Sequence, residues 1–179
     1  MTNPRITAQS RIDTPLGAMT AAATEHGLAG LWFDGQAHHP GPLTAPLQPG
    51  QHWLKAANAA LTRYFSGDPE PLRGLPLDLH GTPFQRAVWR ALQTLPSGQT
   101  RSYAQIAAQA GSPAAVRAAG AAIGRNPVSV LVPCHRVLGA SGALTGYAAG
   151  VERKRALLLH EGADLKHQGT ALGHQGTAL

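Results

Sequence analysis

Cysteine is all but missing from this sequence: Cys134 is the single thiol in 179 residues. No internal disulfide can form, and a structural zinc site built on several thiolates is excluded, so a reducing, cytoplasmic compartment is expected. The N-terminal half has no cysteine, and the adjacent His38 and His39 are too sparse to hold a metal. Long apolar runs are missing too. No stretch of about 18 apolar residues could span a membrane. The N-terminal segment lacks the continuous apolar core of a signal peptide, and a soluble, unexported protein is expected. Charge is scarce and leans one way. Only 13% of residues are charged, and 15 Lys and Arg against 9 Asp and Glu leave a net charge of +6. That excess suits an anionic partner. Twelve of the cations are arginine, whose planar fork fits phosphates and aromatic faces, although GC-rich coding produces the same bias without function.

What is present is enough for a core. With 43% hydrophobic residues, the chain can form one ordinary domain or two small ones. Residues 5 to 33 alternate short apolar and polar runs with a turn centred on His26 and Gly27, the pattern of a hairpin in a small antiparallel sheet. Pro40, Pro42, Pro46 and Pro49 then enforce a connector. Trp53, Leu54, Ala57, Leu61, Tyr64 and Phe65 share one helical face that ends at Gly67. Further Pro and Gly punctuation places a boundary near residue 80, giving domains at 1–80 and 81–165. Thr82 as N-cap and Pro83 in the first turn open a helix whose stripe is Phe84, Ala87, Val88, Ala91, Leu92 and Leu95. Ser102 caps a short helix through Ala110, Gly111 closes it, and Ser112 with Pro113 starts another toward Gly124, together a helix-turn-helix. The β-branched residues 128–132 predict a short buried strand that delivers Pro133, Cys134 and His135 to its accessible end. A last helix covers residues 151–160. The tail, 166–179, repeats HQGTAL and is expected to be disordered.

A lone cysteine is most often a small buried hydrophobe. Next to His135 and Arg136 it is also compatible with a cysteine hydrolase or a redox thiol. Position in the chain adds more. The ordered set SYAQIA, VRAAGAAIGRNP, LVPCHRV, TGYAAG and ERKRALLLHEG resembles the O6-alkylguanine-DNA alkyltransferase family across roughly residues 82 to 165. TPLGAM and GLWF make the N-terminal half similar to the family's ribonuclease-H-like domain. The resemblance implies an α+β/α fold: a small antiparallel sheet with a helix, then a mainly helical, winged-helix-like domain carrying the helix-turn-helix.

The resemblance also implies roles. Cys134 matches the alkyl acceptor, and a soft thiolate suits displacement at a saturated carbon. His135 matches the base that takes its proton through a water, and Glu161 the carboxylate that orients the imidazole. Tyr103 matches the donor to guanine N3, whose proton stabilises charge left on the purine, and Asn126 matches the hinge between recognition helix and active-site strand. Arg117 matches the arginine that fills the gap left by an extruded base, while Ala114, Ala115, Ala118 and Gly120 allow the helix to approach the minor groove. Tyr147, Ala148, Ala149 and Val137 match the alkylguanine pocket. Each has a plainer alternative: a helix-end charge for Glu161, a structural imidazole for His135, a packing phenol for Tyr103, a solvated cation for Arg117. The sequence departs from the family at Ala149, where glycine is usual, and at Ala156, where tryptophan is frequent, which bears on substrate size. The implied activity is irreversible, single-turnover transfer of the alkyl group from duplex DNA by a monomer. It needs no cofactor, and O4-alkylthymine remains open as a second lesion. Two alternatives are a binding-only relative, against which the presence of Cys134 argues, and a transcription regulator, which a footprint at one promoter would reveal.

Overall fold

A computed structural model describes residues 5–70 and 74–165; the expectation of a disordered tail concerns residues outside this range. Three strands, β1 (Ala8–Thr14), β2 (Gly17–Ala23) and β3 (Leu28–Phe33), form an antiparallel meander in the order β1-β2-β3. The hairpin read at His26 and Gly27 joins β2 to β3, and Thr24 N–H donates to the Gly27 carbonyl at 3.0 Å. β1 alternates buried and exposed side chains, as a strand with one wet face does, whereas β3 is buried throughout. Helix α1 (His52–Phe65) lies on this sheet. The Gln51 side chain caps it by accepting from Trp53 N and Leu54 N, and Gly67 leaves it at φ +96°. Its buried face is Leu54, Ala57, Ala60, Leu61 and Tyr64, and each large side chain there contributes about 1.5–3 kcal/mol by burial.

Helix α2 (Pro83–Gln93) starts as read, with Thr82 and Gln85 closing a reciprocal capping box. Its buried residues include Trp89, which the apolar stripe omitted and whose Nε1–H donates to the Ala122 carbonyl at 2.9 Å. A second capping box, Ser102 with Gln105, opens α3 (Tyr103–Gln109). The next helix begins later than the expected Ser112. Ala115 N–H donates to the Ser112 carbonyl in a turn, so Ala114 precedes the helix, Ala115 is its uncapped N-cap, and α4 runs Val116–Gly124. Helices α2, α3 and α4 pack on one another. Two-residue strands β4 (Arg101–Ser102) and β5 (Val137–Leu138) pair in parallel, and α5 (Val151–His160) follows. One apolar core joins the sheet, α1, α2 to α4, residues 128–137 and Leu157 of α5. Among the described residues no helix is long and apolar enough to cross a membrane.

Candidate active site

Residues 128–132 are not the strand that their β-branched composition suggests. Only Val128 pairs, bridging to Leu31 of β3; the chain then turns, with Val130 at φ +71° and Val132 N–H donating to the Val128 carbonyl at 2.9 Å. The cause is the side chain of Asn126, 4% exposed. Its Oδ1 accepts from Val128 N at 3.0 Å and its Nδ2 donates to the Val132 carbonyl at 2.8 Å. The amide thereby takes backbone groups that a strand ladder would need. The same Nδ2 donates to Cys134 Sγ at 3.0 Å. Cys134 opens a 3-10 turn, Cys134–Arg136, and is not at an open strand end: it is 5% exposed, His135 0% and Arg136 5%. The expected accessibility of this segment is therefore corrected. Burial pushes the Cys134 thiol up, outweighing the Asn126 hydrogen bond and the charge of Lys154, so the sulfur rests as a thiol at neutral pH.

Glu161, at the C-cap of α5, gathers the other groups. Its Oε1 accepts from His135 Nε2 at 2.7 Å, Tyr64 Oη at 2.8 Å and Arg136 Nη2 at 2.8 Å, and its Oε2 accepts from Arg136 Nε at 2.8 Å. Arg136 Nη1 also reaches the Leu95 carbonyl. Gly98, at φ +77°, lets its loop run beside this corner: a Cβ there would lie 2.9 Å from the Glu161 carbonyl oxygen. Burial alone would raise the Glu161 carboxyl, but the hydrogen bonds and charges of His135 and Arg136 hold it well below the usual carboxylate range. An ionised carboxylate only accepts, which fixes the proton of neutral His135 on Nε2. Burial lowers the His135 pKa against the pull of Glu161. Its Nδ1 is therefore a base lone pair, and among the described residues it has no hydrogen-bond partner. Tyr64 and Arg136 had not been read as site residues: Tyr64 lies 97 positions from Glu161, a distance that helical periodicity cannot bridge.

A hollow of about 380 Å³ is lined by Tyr103, Gly120, Ile123, Gly124, Gly146, Tyr147 and Ala148, with Ala37 and His38 from the loop after β3. Ala37 N–H donates to the Ala148 carbonyl at 2.8 Å, tying the two loops together. The Tyr103 hydroxyl makes only long bonds, 3.3 and 3.4 Å, to the Thr145 and Gly146 carbonyls, and burial keeps it protonated by raising its pKa. The buried Tyr147 hydroxyl has no partner among the described residues, and burial followed by the nearby Cys134 raises it further. Lys154 is fully buried; its Nζ donates to the Thr145 carbonyl at 2.7 Å, and burial pulls its pKa down to about 8. Of the residues assigned to the pocket, Tyr147 and Ala148 line the hollow, whereas Val137 is buried in β5 and Ala149 in the core. Arg117, Ala114 and Ala118 are exposed on and before α4, and Gly120 and Ala115 are half-buried. A larger hollow of about 490 Å³ lies beside Leu95, Pro133 and Arg136 and touches neither Tyr103 nor Tyr147.

Comparison with known proteins places these features in a family context. One family model, described as the 6-O-methylguanine DNA methyltransferase ribonuclease-like domain, matches residues 9–79; another, its DNA binding domain, matches residues 83–163. The chain is 47% identical over 147 residues to a methylated-DNA–protein-cysteine methyltransferase of Mycobacterium tuberculosis H37Rv, covering 82% of this chain and 87% of the relative. Among solved structures, it is similar to M. tuberculosis OGT in complex with DNA, with a TM-score of 0.81 and 45% identity over 87% of this chain and 93% of the other. The O6-methylguanine-DNA methyltransferase of the archaeon Pyrococcus kodakaraensis KOD1, at 22% identity and a TM-score of 0.60 over 87% and 99% of the two chains, shares the fold. The expected fold class, a small antiparallel sheet with a helix followed by a mainly helical region, stands.

Proposed function

The chain belongs to the 6-O-methylguanine DNA methyltransferase family, and from that premise we propose that it repairs DNA by direct reversal, moving the alkyl group of O6-alkylguanine irreversibly to Cys134. The observation that carries this reading is a buried thiol held by Asn126, followed directly by a neutral imidazole whose Nε2 is anchored on ionised Glu161. Burial keeps the sulfur protonated, so transfer requires a base, and the Nδ1 of His135 is free to take the proton through a water. As the proton leaves, a Sγ–C bond forms and the C–O6 bond breaks. The electron pair of that bond passes into the purine, where the weakly committed Tyr103 hydroxyl neutralises it by donation at N3. The product is a thioether, and nothing in the site regenerates the thiol.

The target atom lies inside a duplex stack, so the base must be extruded. Residues 81–165 supply the DNA-binding and transfer region of this proposal. Its helix-turn-helix is α3 with α4: exposed Arg117 fills the stack, and Ala114, Ala115, Ala118 and Gly120 allow close approach to the minor groove. The hollow beside Tyr103, Tyr147 and Ala148 receives the flipped base, and Val137 and Ala149 support its walls from behind. Residues 1–80 form the second region. The protein acts as a monomer on double-stranded DNA in the cytoplasm, a compartment that suits an unpaired thiol.

Incubation with duplex oligonucleotides bearing O6-methylguanine, followed by intact-mass and peptide analysis, tests the reading. One methyl per protein molecule should appear on the Cys134 peptide, and none in Cys134→Ala. Multiple turnovers, or transfer that persists in the variant, would overturn it, and lesion binding without any adduct would establish a binding-only protein instead.

A further inference from the structure

The carboxylate oxygen that anchors the imidazole also receives a donor from a distant part of the chain. Tyr64 lies on α1, the helix packed against the three-stranded sheet, and is 2% exposed. Its hydroxyl donates to Glu161 Oε1 at 2.8 Å, the atom that His135 Nε2 contacts at 2.7 Å. The Tyr64 backbone is held from the same corner, since His160 Nε2 donates to the Tyr64 carbonyl at 2.8 Å, and the His160 ring lies 5.1 Å from the phenol. Burial, followed by the Glu161 charge, raises the phenol pKa, so Tyr64 remains a donor at neutral pH.

With Arg136 Nη2 included, three donors meet on Oε1. A carboxylate oxygen offers about two lone-pair sites. The donors therefore compete, and any one of them that strengthens weakens the hold on the rest. We propose that Tyr64 is a positioning residue for alkyl transfer, fixing Glu161 against His135 and limiting how strongly that carboxylate draws the imidazole proton. The inference rests on the alkyl-transfer reading above and adds α1, which lies far from Cys134 in the chain, to the machinery that sets the strength of the base.

The sign follows from the groups facing His135: Glu161 favours its protonated form, while Arg136 and Lys154 oppose it, and the Tyr147 ring stands 6.5 Å away. Removing the Tyr64 hydroxyl returns electron density to Oε1, which makes the imidazole easier to protonate. The acid limb of the transfer rate should then move to higher pH.

Single-turnover transfer from an O6-methylguanine duplex is measured from pH 5 to 9 for the wild type, Tyr64→Phe and Phe65→Leu, with urea unfolding of each protein. In Tyr64→Phe the acid limb should shift upward by about 0.5 pH unit, so that the rate falls by up to about threefold at the acid end of the profile and is nearly unchanged near pH 8. Phe65→Leu, a packing change in the same turn, should leave the limb in place. Site-specific 3-fluorotyrosine at position 64, a stronger donor of the same shape, should move the limb downward. A Tyr64→Phe profile that superimposes on the wild type, a uniform loss at all pH values, or shifts of the same sign in both variants would overturn the proposal. A wild type that transfers nothing would instead refute the alkyl-transfer reading itself.

Discussion

Glu161→Gln gives the sharpest measure of the cluster that supports Cys134. The carboxylate is 1% exposed and the Arg136 side chain 7%, with two of the guanidinium nitrogens 2.8 Å from its oxygens. Glutamine keeps the shape but removes the charge, and its amide brings N–H groups to a position already surrounded by the donors of Tyr64, His135 and Arg136. Breaking one side of a buried ion pair costs about 3–5 kcal/mol, mostly because the other charge remains desolvated. For a chain of this length, a loss of that size lowers Tm by about 6–20 °C. Urea unfolding at pH 7 and a thermal scan measure it. Arg136→Met in the Glu161→Gln background should recover part of the loss, because no buried cation is then left unpaired, and a double-mutant cycle should give a coupling of about 2 kcal/mol or more. A loss below about 1 kcal/mol is what an exposed ion pair gives and would refute the reasoning.

Three further outcomes follow from the same geometry. Asn126→Ala strands the Val128 N–H in the core, while the Val132 carbonyl keeps the Cys134 N–H, so it should cost about 1–3 kcal/mol; it should also raise the Cys134 thiol further, read as a slower reaction with iodoacetamide at fixed pH, and an unchanged rate would contradict that role. Arg117→Ala should leave unfolding within about 0.5 kcal/mol but weaken transfer from duplex DNA while sparing transfer from the free alkylated base; equal losses on both substrates would argue against stacking in the duplex. Folding should weaken in acid. Glu161 and His135 both have lowered pKa values, so the unfolded chain binds more protons than the folded one. The His135 contribution fades as pH falls below its unfolded value of about 6.5, and that of Glu161 below about 4.3. Urea titrations from pH 8 to 4 should therefore decline from about pH 6.5 downward, and a maximum near pH 5 would contradict the assignment.

The elements set by local rules were legible in the sequence. Thr82 with Pro83, Ser102 with its following helix, and the His26–Gly27 hairpin depend on residues within a few positions of one another, and each forms as read. The helix placed at Ser112 starts at Val116, because Ser112 to Ala115 close a separate turn, with Ala115 N–H donating to the Ser112 carbonyl, before the helix begins. Residues 128–132 have the composition of a strand, but the side chain of Asn126 claims their polar groups, and β-propensity yields to that specific competition. The candidate site was readable from the chain itself only at Cys134 and His135, and the family resemblance added Glu161, Tyr103 and Asn126. It was not legible where the chain returns from afar: Tyr64 looked like one more apolar face residue of α1, Arg136 like a neighbour of the thiol, and His38 like half of an unconvincing metal pair. Only the tertiary fold brings the first two to Glu161 and the third to the hollow.

The unequal attachment of these groups to the core has an evolutionary consequence. Asn126 Nδ2 still has the Val128 and Val132 carbonyls if the sulfur is lost, so a small residue at position 134 orphans no donor and leaves a void of about one atom. At position 161 the same kind of loss strands donors from α1 and from the turn together. Drift can therefore strip this lineage of its reactivity in a single step without touching its shape, provided that the step falls at 134. A change at 134 removes the sulfur and orphans no donor, whereas loss of the carboxylate at 161 leaves Tyr64, His135 and Arg136 without their shared acceptor.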